Sequence, residues 1–365
     1  MGTPLERLAT VDGRPMRVLQ AMGGARPGGA ETFFASLVLA LNRVGLEQRV
    51  VIRENAACAP SLRAGGIVPN ELPFGRWTDF TTARALEREV GTYKPDVVLT
   101  WMSRASAVFP SGDFLRLARL GGYYDIKNYR RCDHLICNTP DIVEHMVTQG
   151  WPRERAHDLP NFAAVTEAPP IARDRLDTPD DAVVLLALGR LHEAKAFDVL
   201  LKALAIETRP VLWLAGEGRL EDELRALAQS LGVAERVRFL GWRDDRGALF
   251  AAADICVLPS RVEPFGNVIP EAWACRRPVV TAASTGPAAM VRRDEDALLV
   301  PVDDAAALAA AIGRLIDEPD LRARLAEVGR RRYEAEFTEA ACVERYLRLF
   351  GGLLEEHRVE AGAIP

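Results

Sequence analysis

Two carboxylates, Glu263 and Glu271, lie in the stretch Leu258-Pro259-Ser260-Arg261-Val262-Glu263-Pro264-Phe265-Gly266-Asn267-Val268-Ile269-Pro270-Glu271-Ala272-Trp273-Ala274. An apolar strand delivers the first onto a Pro/Gly loop, and the second falls one to two turns into an otherwise apolar helix. An acid engaged only in a surface salt bridge needs no such neighbours. Carboxylates in this setting accept hydrogen bonds from sugar hydroxyls, and the amides of Phe265, Gly266 and Asn267 can hold phosphate oxygens. The structural alternative is that Glu263 caps the helix and Glu271 bonds a neighbouring loop. Earlier in the chain, Leu188-Gly189-Arg190-Leu191-His192-Glu193-Ala194-Lys195 is a strand followed by a loop with two cations. The planar fork of Arg190 and the mobile point charge of Lys195 together suit a diphosphate. A third segment, Gly23-Gly24-Ala25-Arg26-Pro27-Gly28-Gly29-Ala30-Glu31, is a glycine-rich turn before a helix. Its amides and the helix N-terminus favour an anion, the alternative being a permissive turn that holds no ligand.

Other chemistries are excluded by spacing. The glycine turn lacks G-x-G-x-x-G, and Gly29-Ala30 stand where a P-loop needs Lys and Ser/Thr, so neither a nicotinamide enzyme nor a P-loop NTPase fits. Asp294-Glu295-Asp296 is formally a D-x-D but reads as a solvated charged turn. The histidines, His134, His145, His157, His192 and His357, are dispersed without metal-ligand spacing, and no metal is expected. Six cysteines without a C-x-x-C pair read as buried free thiols. The segment Arg116, Arg119, Tyr123, Tyr124, Lys127, Tyr129, Arg130, Arg131 mixes basic and aromatic residues, but Asp125 and Asp133 dilute any nucleic-acid signal. It reads either as a solvated helix face or as a surface that meets a phosphorylated glycolipid or the inner leaflet of a membrane.

The elements that must carry these residues alternate. Strands at Val18-Leu19, Val50 to Ile52, Val97 to Leu99 and Leu135 to Cys137 are separated by helices at Glu31 to Asn42, Thr81 to Tyr93 and one opened by Thr139-Pro140, with a short strand ending at Leu159. Pro160 to Pro179 is proline-rich and aperiodic, as a connector is. The alternation restarts with strands at Val183 to Leu188, Val211 to Ala215, Val237 to Leu240, Ile255 to Leu258, Val279 to Thr281 and Leu298 to Val300, each with helices between or after. Alternating β and α means parallel sheets, hence two Rossmann-like, doubly wound α/β domains. We place them at residues 1–165 and 166–338, followed by a helical stretch, 339–365, that can pack on either domain, the first included. Sheets of this kind bind ligands beyond the carboxyl ends of their strands, so two domains facing each other would put the site in the cleft between them.

Composition agrees with a globular chain of this size: 365 residues, 48% hydrophobic and 27% charged, enough for two domains and too apolar for disorder. The longest apolar runs fall far short of the ~20 residues of a membrane-spanning helix. No secretory signal is evident, so a cytoplasmic protein is expected. The net charge of −5 hides an asymmetry, with 20 Lys+Arg against 17 Asp+Glu in residues 1–165 and 26 against 34 in the rest.

The Glu263/Glu271 pair, Gly189-Arg190-Leu191 with Lys195, Ala215-Gly216-Glu217-Gly218 and Phe239-Leu240-Gly241 make the second domain similar to that of family 4 glycosyltransferases of the GT-B fold. The Gly28-Gly29-Ala30-Glu31 turn and Leu159-Pro160-Asn161 extend the resemblance to the first half. It implies a retaining transfer of a sugar from a nucleotide-diphosphate sugar to an acceptor hydroxyl, with no cofactor and no essential metal. By that resemblance Arg190, Lys195 and Glu263 are the catalytic residues. The two cations would neutralise the departing diphosphate, and Glu263 would bind donor hydroxyls near the anomeric carbon. Glu271 would hold the ribose, Phe265, Gly266, Asn267 and Val268 would complete the phosphate cradle, and Gly28 and Gly29 would let the N-terminal loop approach the donor phosphates and the acceptor closely. Many relatives have His where Met102 stands in Trp101-Met102-Ser103-Arg104, which makes Ser103 and Arg104 candidate contacts for sugar or acceptor. Ala196 follows Lys195 where the family commonly has Gly. The stretches Glu263 to Pro287 and Gly121 to Thr139 look similar to bacterial enzymes of lipopolysaccharide or other surface-glycan assembly. The implied partners are a nucleotide sugar and a glycan or glycolipid acceptor, with peripheral contact at the inner membrane and no nucleic acid. The alternatives are a sugar-nucleotide epimerase on the same fold and a non-catalytic sugar-nucleotide-binding protein.

Overall fold

The computed structural model describes residues 4–24, 28–75, 79–163 and 165–360. The chain divides into two compact units, the first formed by Met1–Asn161 with Glu339–Pro365 and the second by Phe162–Thr338.

In unit 1 a small antiparallel hairpin, β1 (Thr10–Val11) and β2 (Arg14–Pro15), precedes a seven-stranded parallel sheet. Its strands are β3 (Arg17–Met22), β4 (Glu47–Arg53), β5 (Asn70–Leu72), β6 (Val97–Trp101), β7 (Leu115–Leu120), β8 (His134–Cys137) and β9 (Ala156–Asp158), in the order β5-β4-β3-β6-β7-β8-β9. Helices cover the sheet because their sequences bury one stripe and are capped where the chain leaves a strand. Thr139 accepts a hydrogen bond from the Ile142 amide at 3.3 Å with Pro140 in the first turn, and Asp79 accepts from Thr82 at 3.0 Å. The Glu339–Glu360 helix packs on the Gly29–Arg43 helix and on β7, burying Tyr346, Leu347 and Phe350. β7 does not read as a strand in the sequence because Arg116 and Arg119 interrupt its apolar run, yet all six residues are buried. Arg119 is accommodated by donating to the Tyr346 hydroxyl at 2.7 Å and lying over the rings of Phe33 and Trp101.

Unit 2 holds six parallel strands: β10 (Val184–Leu188), β11 (Val211–Ala215), β12 (Val237–Gly241), β13 (Ile255–Leu258), β14 (Val279–Ala282) and β15 (Leu298–Val300). Their order, β12-β11-β10-β13-β14-β15, leaves apolar clusters on both faces. Near-continuous apolar strands are what burial on both faces requires. The proline-rich stretch that reads as a connector is largely laid along this unit. Arg173 donates to the carbonyls of Ala252 at 2.8 Å and Ala182 at 2.7 Å and to Asp254 at 3.0 Å, and Leu176 is buried. Aperiodic sequence there reflects a strap held by one arginine.

In both units the strand order reverses between the first and fourth strands, β3/β6 in one and β10/β13 in the other. The chain leaves such a pair toward opposite sides, which opens a crevice at their carboxyl ends.

Candidate active site

The crevice of unit 2 explains why residues distant in sequence meet. β10 runs into Gly189, whose φ of 152° lies outside the range ordinary residues adopt, and then into the exposed Arg190. His192 opens a short 3₁₀ turn by accepting from the Ala194 amide at 3.2 Å, and the turn ends on Lys195. β13, on the other side of the crevice, runs into the loop that carries Glu263. Lys195 Nζ and Glu263 Oε2 are ion-paired, both largely withdrawn from solvent. The two loops are fastened to each other by the Val262 amide donating to the Ala194 carbonyl at 3.1 Å. Arg261 adds a fork to Asp198, both bonds 2.8 Å, and a bond to the Glu193 carbonyl at 3.1 Å.

Glycines make the approach of neighbouring loops possible. A Cβ on Gly216 would overlap the Gly189 carbonyl, and one on Gly218 would overlap that of Leu191. A Cβ on Gly286 would lie 2.5 Å from the Pro264 carbonyl carbon, and the Gly286 amide donates to the Glu263 carbonyl at 2.9 Å. Gly266 itself has φ 89°. Phe265 is turned into the core, with its ring 6.5 Å from that of Phe337, so only its backbone remains for a ligand. Asn267 precedes the Val268–Ala274 helix, which presents Glu271 inward.

Glu271 is only 3% exposed. Burial pushes its carboxyl up to about 7, against the opposing pull of Arg246, whose Nη1 lies 2.9 Å away. Arg246 begins the helix that follows β12 and its loop. Nearby, the hydroxyls of Ser260 and Ser284 are buried with no hydrogen-bond partner among the described residues.

In unit 1 the same reversal brings the glycine turn after β3 against the segment after β6. The stem of Arg104 lies across Gly23, 3.0 Å from where a Cβ would stand, and Arg104 Nη1 reaches the Phe74 carbonyl at 3.5 Å. Gly28 caps the Gly29–Arg43 helix in an ordinary extended conformation, φ −169°. Ser103 and Arg104 occupy the first turn of the Met102–Val108 helix, entered through Met102 at φ 61°. A left-handed methionine there is backbone strain at a site position. Ala25, Arg26 and Pro27 lie outside the described residues.

The expected site residues thus fall into two groups. Arg190, Lys195, Glu263, Phe265, Gly266, Asn267, Val268 and Glu271 lie on the segments that follow β10 and β13 in unit 2, and Gly28, Gly29, Ser103 and Arg104 lie on those that follow β3 and β6 in unit 1. Sequence reasoning missed Arg246, Arg261 and Gly286, whose partners are fixed only by strand order. Ala196 takes φ 53°, the left-handed region where glycine is comfortable, which accounts for the family's Gly.

Two readings are corrected. Asp296 is not a solvated residue of a charged turn: it is fully buried and pairs with Arg332 at 2.6 Å while accepting from the Arg292 amide at 3.0 Å. The mixed basic and aromatic segment is not one surface, since Arg116, Arg119 and Tyr129 are buried and only Tyr123, Asp125, Lys127, Arg130 and Arg131 are exposed. His134 and His157, far apart in sequence, meet at 3.1 Å, and burial, then His134, lowers His157 to about 4. All six cysteines are buried and free. Among the described residues no three His, Cys, Asp or Glu are placed to share a metal ion, and no helix is long and apolar enough to cross a membrane.

Two parallel-sheet Rossmann-like units, one with a cation–carboxylate crevice, define a GT-B protein. The model of the glycosyl transferases group 1 matches residues 182–318, and that of Glycosyltransferase Family 4 matches residues 27–166. Lipopolysaccharide core biosynthesis glycosyltransferase LpsE of Rhizobium meliloti (strain 1021) is 37% identical over 89% of this chain and 96% of its own length. LpsD of the same organism is 36% identical over 92% and 98%. The crystal structure of Anabaena HepE in complex with UDP superposes with a TM-score of 0.79, at 21% identity, over 92% of this chain and 100% of that one. The chain belongs to the family 4, group 1 glycosyltransferases. Its relatives and structural neighbours are glycosyltransferases, which sets aside the epimerase alternative.

Proposed function

We propose that this glycosyltransferase moves a sugar from a nucleotide-diphosphate sugar to an acceptor hydroxyl during assembly of lipopolysaccharide core or a related surface glycan, with retention of anomeric configuration and without an essential metal. The observation that carries the reading is the meeting of Lys195 with Glu263 at the unit 2 crevice, with Glu271 buried behind the same loop. Glu271 and Arg246 take the ribose end of the donor, and Glu263 takes sugar hydroxyls. Lys195 and Arg190 face the diphosphate, together with the amides of Phe265 to Val268. As the glycosidic bond breaks, its electron pair goes to the diphosphate oxygen, and charge grows where the two cations can stabilise it. The leaving phosphate oxygen accepts the proton of the incoming hydroxyl on the same face. Unit 1 contributes Gly28 and Gly29, whose turn approaches the donor phosphates and the acceptor, and Ser103 and Arg104 as contacts for sugar or acceptor. The exposed Lys127, Arg130 and Arg131 favour an anionic glycolipid acceptor and its leaflet, where each basic residue is worth about 1 kcal/mol. The glycan class follows the names of LpsE and LpsD, and a uridine donor is one candidate because HepE binds UDP.

The test is thermal unfolding with uridine, guanosine, adenosine and cytidine diphosphates and their sugars, each with Mg²⁺ or with EDTA, because a ligand of the folded state raises its midpoint. One nucleotide family should stabilise the protein equally in both. Its sugar should then be transferred to lipopolysaccharide from a strain deleted for this gene, with the donor's anomeric configuration kept in the NMR spectrum of the product. A shift only with Mg²⁺ would remove the metal-independent mechanism, and an inverted product would remove retention.

A further inference from the structure

The loop between β13 and the Val268–Ala274 helix has no regular structure of its own, yet it carries Glu263. Backbone bonds tie it to its neighbours at Val262 and at the Glu263 carbonyl, and Arg261 adds the side-chain tie. Its Nη1 and Nη2 fork onto the Asp198 carboxylate, Nη1 also donates to the Glu193 carbonyl, and Nε donates to Asp303. Three segments are joined in this way. Glu193 belongs to the 3₁₀ turn that ends on Lys195, and Asp198 stands in the first turn of the Phe197–Ile206 helix just beyond it. Asp303 precedes the Ala305–Asp317 helix, whose cap Asp304 accepts from the Ala307 amide at 2.8 Å. Lys195 is thus gripped on one side through Glu193 and on the other through Asp198, and the grip belongs to the residue two before Glu263.

Charge alone does not account for this arrangement. Asp198 already has Lys202 one turn on, at 3.6 Å, and an ion pair whose side chains are 29% and 31% exposed adds little to stability by itself. Asp198 and Asp303 together outweigh the single positive charge of Arg261, so it adds no net attraction for a diphosphate. What a planar fork supplies and a point charge does not is direction. Direction matters here because a displacement of ~1 Å at a reacting group costs turnover about 10²-fold.

Resting on the transferase reading, we propose that Arg261 is a positioning residue whose guanidinium locks the Lys195 turn to the Glu263 loop, so that Lys195 and Glu263 keep one mutual geometry as the glycosidic bond breaks. It acts through the two residues it orients and not on the substrate itself. The ribose end of the donor, assigned to Glu271 and Arg246, does not depend on the lock.

The experiment uses the full chain, the sugar donor identified by the nucleotide panel, and deacylated core oligosaccharide from the deletion strain. Arg261→Lys keeps the charge and loses the fork. It should lower kcat at least tenfold, with the affinity for the corresponding nucleoside monophosphate within twofold of the parent and a nearly unchanged thermal midpoint. Asp198→Asn spoils the same fork from the other side and should show the same defect. The double variant should be no slower than the worse of the two, because a single lock is broken only once. A parental kcat in Arg261→Lys would overturn the proposal, and so would defects that multiply in the double variant, since these mark two independent residues. Monophosphate affinity falling in step with kcat, or a midpoint lowered by many degrees, would make Arg261 a general support of the fold and overturn it equally. A parent enzyme that transfers no sugar to the oligosaccharide would instead remove the transferase reading on which the inference rests.

Discussion

Lys195 and Glu271 are both charged groups at the unit 2 crevice, but burial treats them differently. Lys195 keeps a carboxylate partner, and its removal takes a charge-stabilising group from the leaving diphosphate. Lys195→Ala should lower kcat by about 10²-fold, in the range seen for losing one such donor, with little change in thermal midpoint. A rate unaltered by this substitution would end the diphosphate assignment. Glu271 is nearly enclosed and its carboxyl sits at about 7, above the ordinary 4.5. The folded unit therefore keeps a proton that the unfolded chain gives up, and this contribution to stability is complete below about pH 4.5 and lost as pH rises through 7. Glu271→Gln should melt several degrees above the parent at pH 8 and close to it at pH 5, since each kcal/mol moves the midpoint of a unit this size by about 2–4 °C. The same variant should bind the nucleotide roughly tenfold more weakly at pH 8, because an amide replaces the charged acceptor. In the parent, affinity should fall between pH 8 and 6. The apolar setting of Glu271 was legible from its neighbours in the sequence. Arg246 was not, because nothing local in Trp242-Arg243-Asp244-Asp245-Arg246 marks which of its charges turns inward.

Strands and helices were legible where one rule of burial governs the whole element, as in Val211–Ala215 and Val279–Ala282, and illegible where a buried polar group breaks the rule. Leu115–Leu120 carries two arginines into the sheet, and its neighbours supply the partners: Ser106, whose carbonyl accepts from Arg116 at 2.6 Å, and Tyr346 from the far end of the chain. Asn70–Leu72 is short and lies at the sheet edge, where little apolar pattern is needed. Loops depend on glycines in a way the letter alone does not disclose. Gly91, inside the Phe80–Tyr93 helix, has open space around its Cα, so Gly91→Ala should stabilise unit 1 by about 0.5–1 kcal/mol. Gly286 has the Glu263-Pro264 backbone against it, and Gly286→Ala should cost about 1–3 kcal/mol and shift the loop that bears Glu263. Chemical denaturation of the pair checks the opposite signs. A Gly286→Ala protein as stable as its parent, with unaltered donor KM, would show that this loop tolerates displacement and does not need the close approach.

The two units differ in how the chain composes them, and this difference can be tested by cutting it. Unit 2 is one continuous stretch, Phe162–Thr338, with a complete six-stranded sheet and apolar clusters on both faces. Unit 1 is discontinuous: its sheet is finished by Asn161, but the helix that covers part of it comes back only after residue 338. The sequence suggested two domains from alternation and, from a final amphipathic stretch, a terminal helix open as to which of them it packs on. It could not reveal that Arg119 needs that helix, because the hydrogen bond to Tyr346 spans 227 positions. A fragment of residues 162–338 is therefore expected to unfold in one cooperative transition and to be stabilised by the same nucleoside diphosphate as the full chain, since Arg190, Lys195, Glu263, Glu271 and the amides of Phe265 to Val268 all lie within it. Residues 1–161 alone lose the packing of Tyr346, Leu347 and Phe350 and expose to water the face and the Arg119 guanidinium that the helix covers. Each large apolar side chain no longer buried costs about 1.5–3 kcal/mol, together a large share of the ~5–15 kcal/mol that holds a domain together. This fragment should be unfolded or molten, with restoration when 339–365 is joined to it through a short flexible linker. A stable fragment 1–161 with a sharp transition would mean that the returning helix is an addition to unit 1 and not a part of its core. Failure of fragment 162–338 to respond to nucleotide, while the full chain does, would assign part of the donor site to unit 1.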